Sequence, residues 1–172
     1  MPTRFLSGPD VARRIEGTLP GAVLAAEPQW TEVQPEQLVA VCTFLRNDPE
    51  LDLVFLCSLT GVHRLDHFEV VYHLQSLKLN HLATLKAKSW ENEEPELPSV
   101  TPLFSGAIFQ EREAYDLLGI RFQGHPDLRR LFLWDGFPGH PLRKDWLGMP
   151  GQRMSGLQGF PGEPGFSNEG RG

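Results

Sequence analysis

A chain of 172 residues that is 40% hydrophobic and 22% charged has the size and composition of one globular domain with a sizeable core. Its net charge of −6 disfavours a nucleic-acid partner, which needs a concentrated basic face. No apolar run reaches the length of a membrane span and the N-terminus lacks the apolar stretch of a secretory signal, so a cytosolic chain is expected.

Pro9 and Asp10 open a short helix, roughly Pro9 to Glu16, ended by Gly17 and Pro20. Ala22 to Ala26 and Trp30 to Val33 read as short strands around Pro28. From Pro35 to Arg46, Leu38, Val41, Cys42 and Leu45 recur at the i, i+3, i+4, i+7 spacing of one apolar helical stripe, and Asn47-Asp48-Pro49 stops it. Leu53 to Leu59 is a nearly continuous apolar run bounded by turn residues, which suits a strand covered on both faces and predicts the central strand. Phe68, Val70, Tyr72 and Leu74 alternate with Glu69, Val71 and His73, the pattern of a strand with one buried face. After a turn at Asn80, Leu82 to Lys88 reads as a further strand, although Leu79, Leu82 and Leu85 also fit a helical period.

Trp90 to Pro98 carries Glu91, Glu93, Glu94 and Glu96 and predicts an exposed acidic loop. Ser105 is placed to cap a helix from about Ala107 to Leu118, and Gly119 to end it in the left-handed conformation. Beyond Leu147 glycine and proline crowd the chain, at too high an entropic cost for helix or core strand. Met149, Met154, Leu157, Phe160 and Phe166 punctuate that stretch as anchors would on an arm lying along a partner. The expected organisation is a domain over 1–146 and an arm over 147–172.

Cys42 and Cys57 sit in apolar surroundings and read as small buried hydrophobes. With no CxxC, the chain lacks the ligands for an iron–sulfur cluster or a cysteine-rich zinc site. No GxSxG, P-loop or GxGxxG occurs either.

The densest chemistry lies between Glu111 and Asp145, where six acids and six bases surround two Gly-His-Pro turns, at 124–126 and 139–141. Glu111, Glu113 and Asp116 fall toward the end of a helix and oppose its macrodipole, at a cost of roughly a few tenths of a kcal/mol each. Basic groups beyond the helix or on a partner are the natural offset. Arg112 and Asp116 stand one turn apart and can pair within the helix. Glu111 and Arg112 fall on the same side as the apolar stripe of Ile108, Tyr115 and Leu118, so the pair is not expected to be purely solvent-facing. Each Gly-His-Pro corner is followed by a basic pair, and arginine's planar fork suits bidentate grips on carboxylates. Docking is the chemistry this suggests. An alternative has Glu111, Glu113, Asp116, His125 and His140 converge on the metal of a hydrolase, without the HExxH spacing that usually signals one. His63, His67, His73 and His81 read as surface or pairing residues.

The run from Glu111 to Leu118, EREAYDLL, followed by His125, Arg129, Leu131 and Phe132 and then by GHPLRKD from Gly139 to Asp145, closely resembles the signature of one family. It is that of the C subunit of proton-pumping NADH:quinone oxidoreductase, respiratory complex I. The resemblance implies an α/β fold, a small mixed sheet flanked by helices, here carrying an extended irregular C-terminal arm. It implies a non-catalytic member of the peripheral arm on the cytoplasmic side of the membrane, attached to the membrane only through the complex. Its partners would be the quinone-site and iron–sulfur subunits; it would bind no cofactor itself, iron–sulfur clusters and FMN residing in partner subunits. On this resemblance Glu111, Arg112, Glu113, Asp116, His125, Arg129, Arg143 and Asp145 become docking or structural residues, and none becomes catalytic. Similar subunits of the photosynthetic-type NDH complex and of membrane-bound hydrogenases are the nearest alternative.

Overall fold

Strands with strict alternation set the architecture, which the computed structural model describes for residues 3–148. The chain runs β1 (Arg4–Phe5), α1 (Gly8–Thr18), β2 (Val23–Glu27) and β3 (Trp30–Val33), then a 3-10 turn at Pro35–Gln37 leading into α2 (Leu38–Asn47). It continues through β4 (Phe55–His63), β5 (Phe68–Ser76), β6 (His81–Ser89), β7 (Glu96–Pro98), α3 (Ala107–Leu118) and β8 (Arg121–Gln123). β5 and β6 pair antiparallel with Tyr72 opposite Leu85, so Phe68, Val70, Tyr72, Leu74, Ala83, Leu85 and Ala87 share one face and are at most 1% exposed.

The main sheet is mixed, in the order β2-β3-β6-β5-β4, with β1 and β3 both parallel to β6 and the other pairs antiparallel. Val11 and Ile15 of α1, the Leu38, Val41, Cys42 and Leu45 stripe of α2, and Ala107, Ala114 and Leu118 of α3 all join the core on that buried face. Each large side chain so buried contributes about 1.5–3 kcal/mol. The opposite face is polar: Glu69 pairs with Arg64 at 2.8 Å and lies 3.7 Å from Lys86, and Glu32 pairs with Lys88 at 2.8 Å. Cys57 belongs to this polar side, half-buried with its thiol toward Gln75, whereas Cys42 is fully buried.

Several expectations change. The apolar run expected to be central forms β4, which among the described residues pairs only with β5, at the sheet's edge; β6 is central. The run is apolar because two structures share it. Leu51 and Leu53 bury in the turn after α2, and Leu56 and Leu59 bury on the strand's inner face. The acidic stretch is exposed at Glu91, Glu93, Glu94 and Glu96 as expected, but it is not loop throughout, since Glu96–Pro98 forms β7, parallel to β8, with Leu97 buried. α3 has the expected bounds, but Gly106 rather than Ser105 occupies its N-cap, with no side-chain bond. There Ala107 N–H donates to the Phe104 carbonyl, so the backbone turn supplies what the cap was expected to.

α3 meets β4 at Gly61, where a Cβ would lie 2.6 Å from Leu118 Cδ1 and 3.0 Å from Ile120 Cδ1. Glycine is what lets the helix come that close.

Candidate functional site

Gly119, at φ 80, ends α3 in the left-handed conformation, and the chain then turns back so that residues 124–146 run alongside the helix. Asp116, fully buried on α3's last turn, is the anchor. Its Oδ2 accepts three successive backbone N–H groups, from Leu131 at 3.0 Å, Phe132 at 2.7 Å and Leu133 at 2.9 Å. Its Oδ1 accepts from Arg130 Nη1 at 2.9 Å. Burial works against the charge, but the amides of Leu133, Phe132 and Leu131 and the Arg130 guanidinium outweigh it and hold the carboxyl below the usual aspartate pKa.

The intrahelical Arg112–Asp116 pair is therefore not formed. Arg112 donates instead to the carbonyls of Arg129 at 3.0 Å and Arg130 at 2.9 Å. Arg130 closes the ring of contacts by donating from Nη2 to the carbonyls of Phe137 at 3.0 Å and Gly139 at 3.2 Å. For Asp116 the basic offset comes from within the chain, from Arg130.

Both Gly-His-Pro corners clasp the helix backbone. His125 Nε2 donates to the Ile108 carbonyl at 3.0 Å, while its Nδ1 accepts from Asp127 N–H at 3.0 Å. His140 Nδ1 donates to the Asp116 carbonyl at 2.9 Å, and burial foremost lowers its pKa. These tautomers follow from the carbonyl acceptors. One corner thus holds α3 near its start and the other near its end.

The remaining expected residues have separate duties. Glu111 is fully buried and accepts from Ser99 Oγ at 2.7 Å and Val100 N–H at 2.8 Å; burial foremost raises its pKa to about 7. The buried stripe of α3 accordingly runs through Ala107, Glu111, Ala114 and Leu118, leaving Ile108 and Tyr115 at its flanks. Glu113 is exposed. Arg129 pairs locally with Asp127 at 2.9 Å on the surface. Arg143 makes a two-pronged pair with Asp145, both bonds 3.0 Å, and its guanidinium lies 5.0 Å over Phe68. Phe68 in turn stacks on His63, whose Nδ1 accepts from Lys144 N–H at 2.9 Å. His63 and His81 are thus buried pairing residues, not surface ones.

The five side chains of the metal alternative diverge, and among the described residues no group of three or more His, Cys, Asp or Glu is placed to hold a metal ion. What the wrapping achieves is display. Phe137 is buried between Trp134, Trp146 and Arg130, and around it Phe132 (64% exposed), Trp134 and Leu142 project outward from irregular backbone that is fastened at every turn. Sequence alone does not single out Arg130 and Ser99, which are central to the arrangement. The Arg129-Arg130 pair signals a grip, yet nothing local tells which of the two turns inward.

Residues 31–150 match the family model described as respiratory-chain NADH dehydrogenase, 30 Kd subunit. The NADH-quinone oxidoreductase C subunit of Azorhizobium caulinodans is 46% identical over 144 residues, a match covering 80% of this chain and 67% of that protein. Its counterpart from Roseiflexus castenholzii is 44% identical over 147 residues, covering 81% and 84%. In backbone shape the chain is similar to one from the membrane-bound sulfane sulfur reductase, an archaeal respiratory membrane complex, with a TM-score of 0.63 at 21% identity over 81% of this chain and 85% of that one. That likeness extends to the fold alone.

Proposed function

Because the chain belongs to the family of the 30 Kd subunit of respiratory-chain NADH dehydrogenase, we propose that it is a non-catalytic scaffold within a proton-translocating NADH:quinone oxidoreductase. It sits on the cytoplasmic side of the membrane and holds the quinone-site and iron–sulfur subunits in register. Flavin and clusters belong to those partners, and the protein frame that spaces them sets electron transfer from NADH to quinone. Among the described residues no helix is long and apolar enough to cross a membrane, which accords with attachment through the complex.

The observation that carries this reading is the fastening of residues 124–146 to α3 through Asp116, Arg130 and Arg112. It costs a buried carboxylate and yields a rigid surface with Phe132 and Trp134 outward. Exposed aromatics on a preorganised backbone are what interface hot spots are made of, since little entropy remains to be lost on binding.

The test is the double substitution Phe132→Ser with Trp134→Ser in the native host. Recovery of assembled complex from membranes should fall several-fold while the purified chain keeps its circular dichroism spectrum. Undiminished assembly with both aromatics gone removes this surface from the docking interface.

A further inference from the structure

Glu111 is a buried acid without a cation: among the described residues no Lys, Arg or His forms an ion pair with it, and it is 0% exposed. Its neighbour Arg112 turns away to the carbonyls of Arg129 and Arg130, and Arg46 of α2 is engaged with the carbonyl of Leu103. The groups that face this region from β5 and α2 are Tyr72 and Cys42. Both stay neutral at pH 7, because burial drives the Tyr72 phenol well above its usual pKa and the Cys42 thiol up to about 12. Tyr72 Oη is itself buried without a hydrogen-bond partner, and among the described residues no cation pairs with Glu111 to stabilise its carboxylate. What it holds is a row of hydroxyls. Ser99 Oγ lies 2.7 Å from Glu111 Oε2 and 2.7 Å from Thr101 Oγ1, and Thr101 is only partly buried.

We propose that Glu111, Ser99 and Thr101 form a proton-binding site inside the domain, with Glu111 as the acceptor and the two hydroxyls as its path to solvent. With Glu111 ionised, Thr101 O–H donates to Ser99 Oγ and Ser99 O–H donates to Glu111 Oε2. A proton arriving from water at Thr101 Oγ1 displaces the Thr101 proton onto Ser99, and Ser99 passes its own to Glu111. Each hydroxyl again carries one hydrogen, both bonds have reversed direction, and the carboxyl has gained one proton. No other bond forms or breaks. Val100 N–H goes on donating to Oε1, but to a neutral acceptor, and such a bond is weaker than one to a carboxylate. The proton state of Glu111 therefore sets how firmly α3 grips the 99–101 turn, and α3 is the helix on which residues 124–146 are fastened. The raised Glu111 pKa, about 7, puts the exchange in the neutral range.

Carbon-13 NMR of the full chain with glutamate side-chain carboxyls labelled tests this without any substitution. One carboxyl should titrate with a midpoint near neutrality and vanish from the titration in Glu111→Gln; if every glutamate titrates in the ordinary acidic range, or the neutral transition survives in that variant, the site does not exist. Ser99→Ala should raise the midpoint, having removed a donor to the charged form. Thr101→Val should slow exchange between the two forms by an order of magnitude with a smaller effect on the midpoint. Unchanged exchange kinetics in Thr101→Val would overturn the hydroxyl path. A role for these residues in packing alone predicts none of these changes.

Discussion

Asp116 shows how a charge buried at a helix's unfavourable end is made tolerable. Four donors converge on one carboxylate, and the helix dipole that opposes it weighs a few tenths of a kcal/mol against hydrogen bonds to a charge of about 1.5–3 kcal/mol each. Asp116→Ala leaves three amides and the Arg130 guanidinium without their acceptor. It is expected to cost about 3–5 kcal/mol, read as a lower urea midpoint for the full chain. Asp116→Asn, which keeps one oxygen, should fall between the two. Sequence made the charges visible but not their pairing. Arg112 has the spacing to reach Asp116, yet residues fourteen to seventeen positions away in the chain supply the actual partners. Glu111 carries the opposite sign in pH dependence. Its folded pKa, about 7 against an ordinary 4.5, means the folded state binds the proton more tightly, so this group's contribution is full below about pH 4.5 and lost as pH rises through 7. At about 1.4 kcal/mol per tenfold change in proton affinity, roughly 3 kcal/mol is at stake. Stability curves at pH 5 and pH 8 should differ less in Glu111→Gln than in the parent chain; identical pH dependence would contradict the assignment.

At the level of elements, α3 was legible because its apolar content and Gly119 bracket it, and β5 because alternation is an unambiguous signal of one buried face. β4 and β6 were harder. A run of apolar residues reads alike whether it fills one two-faced strand or a buried turn followed by an edge strand, and only the pairing partners distinguish the two. Gly119 has two independent reasons to be glycine: φ of 80, and His140 Cδ2 only 2.7 Å from where a Cβ would lie. Gly119→Ala is expected to cost about 1–3 kcal/mol, measured as a drop in Tm. Adding His140→Ala should recover the steric part and not the backbone part. Full additivity of the two substitutions would show that the ring and the helix end do not press on each other.

Over the whole molecule, many charged residues of the family signature bond within the chain. Arg112, His125, Arg143 and Asp145 have partners within the chain, while Glu113, Arg129 and Asp145 stay exposed beside the outward aromatics. Charge density in sequence was a sound guide to where the chemistry is. It was a poor guide to which side chains face out, because the same arginine fork suits a carbonyl of its own chain as well as a neighbour's carboxylate. The sheet has a further consequence, for synthesis on the ribosome. β1 and β3 have β6 as their parallel partner, and Thr3 bonds Asn80 across 77 residues of chain. At about 5–20 residues per second, the first strand waits roughly 4–15 seconds for the strand it joins. Through that interval β3 lacks the strand it pairs with, so nascent chains halted before β6 has left the ribosome should be cut readily by protease and those halted after it has fully emerged should resist.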